Sequence, residues 1–341
     1  MEHDRGTSVI ATAIGGWPSA LEDILLGTSD PERIVGLLDG FTRSALASEL
    51  HSVTFYRRGV GAVFGLLLMD DRRVVVKVHR LDLVREGLDG IRTVQGTLAE
   101  RGLPAPTPIG SPQAMGHGIA AAEEMLTAGE KANPHDASVR RVLAAGLFQF
   151  VEAATPMLGI VQLPLANPFG LTDDQLWPTP HDLRFDFSLP GAEWIDELAK
   201  DARSVLDQSA SESMVIGHAD WRMENLCVDG SAVVAIFDWD SVCACPEAVL
   251  VGAASVHFTT DWSDSSTDPF PSPDESSAFI NEYEEARGRR FASRDRELVD
   301  AAQIYRLAYG ARCEHSDSLL GVVPDADGES GFAALLRSVV S

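Results

Sequence analysis

The chain is short of several things at once, and each shortage closes off a class of explanation. Only four of its 341 residues are cysteine, Cys227, Cys243, Cys245 and Cys313, and they form neither a CxxC pair nor a zinc spacing. Free thiols in a reducing compartment are the expectation, not a disulfide scaffold or a zinc module. Basic side chains are scarce: 27 Lys and Arg stand against 51 Asp and Glu, a formal charge of −24. A nucleic-acid partner, held chiefly through its phosphates, is therefore not expected. Long apolar runs are missing as well. The longest, residues 142–147 and 248–256, fall well short of the roughly 20 residues that cross a bilayer, so no membrane partner is expected. The first thirty residues lack a basic leader followed by an apolar core, which predicts a cytoplasmic location. No internal repeat is evident.

What is present describes an ordinary globular chain: 45% hydrophobic and 23% charged residues, at a length that suggests about two domains. Residues 1–50 read as a helical lead-in, with Asp30-Pro31-Glu32 as a helix start and Ile34, Leu37 and Leu38 at helical spacing. Residues 51–126 read as a small lobe. Three strands, 53–58, 62–69 and 73–79, follow one another as an antiparallel meander; a helix over 83–101 is closed by Gly102 and Pro104, and two short strands end at 118–122. Residues 127–341 read as a larger, mainly helical lobe. Its helices are predicted at about 137–150, 192–208, 276–287, 294–312 and 332–339, with loops over 164–190 and 261–275 and one small β element. The fold class is α+β.

Chemistry concentrates in residues 214–242. His218-x-Asp220-x4-Asn225 leads into an apolar run, an Asp229-Gly230 turn, a second apolar run and then Asp238. A tight hairpin sets the residue before its first strand beside the residue after its second, so Asn225 and Asp238 share one end. An amide oxygen and a carboxylate suit Mg2+, which takes hard oxygen ligands and completes its shell with water and phosphate. Asp220, on the loop entering the hairpin, is placed to orient a hydroxyl and accept its proton. Lys77 sits in the otherwise apolar strand Val74-Val75-Val76-Lys77-Val78 and needs an anionic partner. The α/β-phosphates of ATP and a carboxylate of the next helix, Glu86 or Asp89, are the candidates. Gly59, Gly61 and Gly65 straddle the first strand turn, where backbone amides can approach phosphates, although no Walker lysine follows.

His218-Ala219-Asp220-Trp221-Arg222-Met223-Glu224-Asn225 with Ile236-Phe237-Asp238-Trp239 resembles the signature of the aminoglycoside phosphotransferase and choline kinase-like superfamily, usually close to His-Gly-Asp-Leu-His-x-x-Asn followed by Ile-Asp-Trp. Lys77, the junction at residues 98–106 and the connector near Met125 fall in family order. The resemblance implies a two-lobed protein kinase-like fold with ATP between the lobes and Mg2+ as cofactor, GTP remaining open. It implies Asp220 as catalytic base, His218 as a structural member of the catalytic loop, and Asn225 and Asp238 as metal ligands. It further implies Lys77 on the phosphates and the backbone of Glu124, Met125 and Leu126 as the adenine hinge. Ala219 and Arg222-Met223-Glu224 depart from the usual pattern and put a carboxylate beside the metal site. Glu224 either points away or helps hold a cationic substrate. Asp240 either touches a second metal or, the favoured reading, caps the helix beginning at Pro246.

The function expected is transfer of the γ-phosphate of ATP to a hydroxyl of a small molecule, an aminoglycoside or other antibiotic being one candidate. The acidic stretch 261–268 and the Glu282, Glu284, Glu285 cluster read as a solvated face or as a surface for a cationic acceptor, the former preferred. A nucleotide-binding pseudoenzyme is the alternative. A protein kinase is disfavoured, because Asp238-Trp239-Asp240 lacks the glycine of Asp-Phe-Gly and no Ala-Pro-Glu follows.

Overall fold

The computed structural model describes residues 6–15, 21–80, 87–164, 175–182, 184–208, 214–321 and 331–340. Strands β1 (Leu50–Arg58), β2 (Ala62–Leu68), β3 (Arg73–His79), β4 (Pro108–Met115) and β5 (Gly118–Glu124) form one antiparallel sheet in the order β1-β2-β3-β5-β4. Side chains alternate across the pleat. In β3 the buried apolar positions are Val74, Val76 and Val78, whereas Val75 and Lys77 take the other face and are half-buried. The ammonium of Lys77 therefore does not share the apolar face of its strand, as an all-apolar reading of residues 74–78 implied.

The helices of the expected lead-in share this sheet's own core. Helices α1 (Thr7–Ile14), α2 (Leu21–Leu26) and α3 (Pro31–Ala45) bury Ile10, Leu25, Ile34 and Leu38 in one cluster with Leu50, Phe64, Leu66 and Val76. The start of α3 has the expected chemistry: Pro31 occupies the first turn, and the Asp30 carboxylate accepts the Arg33 N–H at 2.8 Å. Glu22 of α2 is 1% exposed and accepts from Arg58 Nε at 2.6 Å, from Arg58 Nη2 at 2.9 Å and from the Tyr56 hydroxyl.

Packing divides the chain into two compact units: Met1–Leu88 with Pro106–Thr127 and His181–Arg184, and Asp89–Ala105 with Ala128–Pro180 and Phe185–Ser341. Helix α4 (Leu88–Glu100) was expected with the sheet lobe, yet its apolar stripe, Ile91, Val94 and Leu98, belongs to the core of the helical unit with Leu143, Leu147 and Phe150. Residues 83–86 of the expected helix, Glu86 among them, lie outside the described residues.

The second unit is built from α5 (Ala137–Ala154), α6 (Glu193–Leu206), α7 (Glu247–Ser255), α8 (Pro273–Arg287), α9 (Ser293–Leu319) and α10 (Gly331–Val340). Two small sheets accompany them, β6 (Met214–His218) with β9 (Val242–Pro246) and β7 (Leu226–Asp229) with β8 (Ala232–Ile236). Only the second is legible in the sequence, because β6 and β9 are separated along the chain by the whole hairpin that they flank. Two of the three clustered acids on α8 form neither a solvated face nor a cation-binding surface. Glu282 pairs with Arg140 at 3.0 Å, and Glu284, fully buried, takes Arg290 at 2.8 Å and Arg296 at 2.6 Å. Asp240 lies in the 3-10 turn Trp239–Ser241, ahead of α7, whose N-cap is Pro246. Among the described residues no helix is long and apolar enough to cross a membrane.

Candidate active site

The segment from β6 to β9 is nailed into the core by its aromatic residues. Phe150 of α5 meets His218, Trp221 and Trp239 at centroid distances of 6.2, 6.1 and 5.5 Å. Both indoles also spend their N–H on carbonyls, Trp221 on Leu143 at 3.0 Å and Trp239 on Ile236 at 2.8 Å. Buried Trp needs such a partner, and the requirement fixes the ring's orientation. His218 is fully buried, and its Nε2–H donates to the Phe237 carbonyl at 2.9 Å, latching the start of the loop to the end of β8.

The register of the hairpin does what its sequence predicts. Leu226 pairs with Ile236, and the Phe237 N–H donates to the Asn225 carbonyl at 2.8 Å, which brings Asn225 and Asp238 to the same end. Asp238 has φ 57° and ψ 51°, a left-handed conformation unusual for a residue with a side chain. Asn225 donates its Nδ2 to both the carbonyl and the Oδ2 of Asp220, at 2.9 and 2.8 Å.

Asp220 lies in a dense charge cluster. Arg222 Nε stands 3.1 Å from Asp220 Oδ2, and Arg222 Nη2 stands 3.0 Å from Glu224 Oε2. His257 Nδ1 lies 3.4 Å from Asp220 Oδ1, and Arg306 Nη2 lies 2.8 Å from His257 Nε2. Burial pushes the Asp220 carboxyl up, but the Arg222 guanidinium, the His257 hydrogen bond and the charge of Arg306 outweigh it and hold the group well below the usual carboxylate range. Burial, then Arg306, push His257 down to about 3, so its imidazole is neutral. Glu224 is shifted up by its burial, with Arg222 opposing. Lys131 closes the turn from below: its Nζ donates to the carbonyls of Met223, Glu224 and Leu226 at 2.7, 2.6 and 2.8 Å.

Three segments thus contribute residues that the spacing of the motif does not reveal: Lys131, His257 and Arg306. The one available signal was a lone histidine in the apolar stretch 248–258. Arg222 and Glu224 stood out in sequence only as departures; they prove to be partners, so Glu224 is held by this chain's own arginine.

The remaining predicted site residues belong to the first unit. Lys77 on β3 is paired with Val63 and Ala121 across the sheet. Gly59 and Gly61 form the turn before β2, the Gly59 N–H donating to the Gly61 carbonyl at 3.1 Å. A Cβ on Gly61 would lie 2.6 Å from the Val78 carbonyl, so glycine is required there by close approach. At the last residue of β5 the N–H of Glu124 is taken by the Thr107 carbonyl, and in the connector after it that of Met125 is taken by the Arg73 carbonyl. The Leu126 N–H takes part in no hydrogen bond among the described residues.

Residues 53–270 match the phosphotransferase enzyme family model, close to two-thirds of the sequence. The chain belongs to this family. No curated protein sequence matches it. Among solved structures it resembles a spectinomycin phosphotransferase in complex with ADP and spectinomycin, at TM-score 0.54 and 13% identity, over 89% of this chain and 93% of the other. It also resembles an amicoumacin kinase in complex with AMP-PNP, Ca2+ and its antibiotic, at TM-score 0.56 and 12% identity, over 84% and 86%. A Plasmodium vivax ethanolamine kinase matches at TM-score 0.54 and 12% identity, over 91% and 89%. At such identities these structures speak for the fold, an α+β kinase-like one, and the family makes the chain a small-molecule phosphotransferase.

Proposed function

We propose that this phosphotransferase moves the γ-phosphate of ATP to a hydroxyl of a small molecule, with Asp220 as the base that orients the hydroxyl. The observation that carries the reading is the pair of hydrogen bonds from Asn225 Nδ2 to Asp220, at 2.9 and 2.8 Å, because one turn then fixes both the acid and the amide. Asn225 Oδ1 accepts no hydrogen bond among the described residues, and Asp238 ends the neighbouring strand; two hard oxygens at one strand end fit Mg2+. Bound there, the ion would neutralise charge on the phosphate oxygens. Lys77 and the turn at Gly59 and Gly61 serve the phosphates, and the Leu126 N–H, left over by the sheet, serves the adenine.

Asp220 stays ionised at neutral pH and is a weak base. That suits phosphoryl transfer, in which the protein mainly positions the nucleophile and the proton leaves late. The engagement of both Asp220 oxygens, by Asn225 and Arg222 on one and His257 on the other, also fits the second reading, a nucleotide-binding pseudoenzyme. One assay separates them. Magnesium-dependent consumption of ATP or GTP is measured against spectinomycin, amicoumacin, aminoglycosides, ethanolamine and sugars. Turnover on one acceptor, lowered about 10²- to 10⁴-fold by Asp220→Asn at similar KM for ATP, supports the kinase. Nucleotide binding with no turnover supports the pseudoenzyme, and an Asp220→Asn variant at the wild-type rate removes Asp220 as base.

A further inference from the structure

Arginines in the helical unit are buried in company. Arg140 meets Glu282 at 3.0 Å, Arg287 meets Glu247 at 2.6 Å and Arg312 meets Asp196 at 3.3 Å. A guanidinium cannot shed its charge, and withdrawing one from water without an acid is costly. Arg306 of α9, partly buried, departs from this pattern: among the described residues it has no carboxylate within ion-pair distance. Its Nη2 lies 2.8 Å from His257 Nε2 and 3.1 Å from Nδ1, near-equal distances that set it on the face of the imidazole, where a guanidinium stacks and donates nothing. The Phe332 ring lies 5.8 Å from the guanidinium carbon. Nε and Nη1 make no hydrogen bond among the described residues, so their N–H donors remain for a group from outside.

The imidazole that Arg306 stacks on also stands 3.4 Å from Asp220 Oδ1, so the unpaired guanidinium and the candidate base border one ring. Apolar surface continues from there. Phe332 lies 6.1 Å from the His257 ring, Phe270 and Trp262 lie 4.9 and 6.2 Å from Phe332, and Trp262 is 53% exposed. Two acids of the neighbourhood are engaged: Glu224 meets Arg222 at 3.0 Å, and Asp261 accepts the Ser263 N–H at 2.9 Å. The charge left open beside Asp220 is therefore positive, in a chain whose formal charge is −24.

We infer, on the reading of Asp220 as the base, that Arg306 binds the acceptor and that the acceptor is a hydroxy acid, its hydroxyl at Asp220 and its carboxylate at Arg306. Across the one imidazole that both groups border, a chain of about three to five carbons joins the two ends. The carboxylate supplies the counter-ion that the fold withholds, and charge-assisted hydrogen bonds to it are roughly twice as strong as neutral ones. The aromatic wall takes the carbon skeleton. An amine in the same place would meet a like charge with no open acid to offset it.

The test uses the full-length chain and acceptors matched in length but not in charge: γ-hydroxybutyrate with the diol and the amino alcohol of equal length, and glucuronate with glucose and glucosamine. In magnesium-dependent ATP turnover the acid of at least one set is expected to exceed both counterparts in kcat/KM by about tenfold or more. Arg306→Met should raise KM for that acid by about 10- to 100-fold, with KM for ATP within about twofold and kcat/KM for the neutral member within about threefold. Arg306→Lys, which keeps the charge but not the planar fork, should restore part of the loss. Turnover with no preference for the acid in either set overturns the inference. So does an Arg306→Met loss equal for acid and alcohol, which makes Arg306 a packing residue. Binding is read separately by calorimetry with Mg·AMP-PNP in place of ATP, so a chain without turnover is still tested. Acid bound by the wild type and by Arg306→Lys but not by Arg306→Met supports the inference even where no phosphate moves, and only the kinase reading then fails. No acid bound, or acid and amine bound alike, overturns it.

Discussion

Asp238 carries a conflict between backbone and side chain that only a role for the side chain resolves. Its left-handed φ of 57° costs a residue with a Cβ roughly 1–2 kcal/mol, a cost glycine does not incur. Asp238→Gly should therefore unfold at an unchanged or higher temperature while losing magnesium-dependent turnover by more than about 100-fold. Measured together, Tm and kcat moving in opposite directions identify strain kept for function; a Gly variant that is both inactive and less stable would assign Asp238 to the scaffold. Lys131 makes the opposite case. Its three N–H groups all go to carbonyls of the turn that carries Asn225, and Lys131→Met should cost about 1–3 kcal/mol in urea unfolding. His218, Asp220, Asn225 and Asp238 were legible in sequence because a loop and a two-residue turn fix their relation locally. Lys131, His257 and Arg306 were not, because a side chain that arrives from another segment leaves no spacing behind.

Between elements, ion pairs decide attachments that periodicity does not describe. The lead-in helices were read correctly as helices from Asp30-Pro31 and the spacing of Ile34, Leu37 and Leu38, but their place in the sheet's core depends on tertiary burial. Glu22 is the fastener: a buried carboxylate from α2 that serves Arg58 and Tyr56 of β1. Glu22→Leu removes the carboxylate that a buried guanidinium meets twice and should destabilise the sheet unit by about 3–5 kcal/mol, read as a shift in the urea midpoint. A second fastener depends on pH. His135, just before α5, donates from Nδ1 to Glu275 at 2.9 Å and from Nε2 to the Asp268 carbonyl at 2.8 Å, tying the acidic loop to the helical core. A ring that donates from both nitrogens is protonated. Burial opposes that charge, but the Asp268 carbonyl and the Glu275 carboxylate prevail and raise its pKa above 6.5. Glu275 is shifted the other way: burial raises it, and the Ser272 cap and His135 bring it below 4.5. The histidine's contribution is complete below 6.5 and is lost as pH rises through its folded value; the glutamate's is complete above 4.5 and is lost as pH falls through its own. The stability gap between wild type and His135→Leu should thus be widest between about pH 4.5 and 6.5 and should narrow toward pH 9. A gap that widens with rising pH would contradict a protonated ring.

On the scale of the whole molecule, the formal charge of −24 acts against compaction, and salt should moderate it. The buried pairs at Glu22 and Glu284 are screened far less than exposed charges, so added salt relieves the repulsion without dissolving them. Melting is therefore best compared at a fixed ionic strength of about 0.15 M, where the Debye length is ≈ 8 Å. Under that condition the nucleotide tests the proposed roles of Lys77, Asn225 and Asp238 one residue at a time. Mg·ADP at about 100 times its Kd should stabilise the chain by about 2.7 kcal/mol. Lys77→Met and Asn225→Leu should each abolish most of that shift. Glu22→Leu, remote in chemistry from the phosphates, should lower the starting midpoint and keep the shift. A full Mg·ADP shift in Lys77→Met would take the sheet's lysine off the phosphates, and a full shift in Asn225→Leu would take the metal off the hairpin.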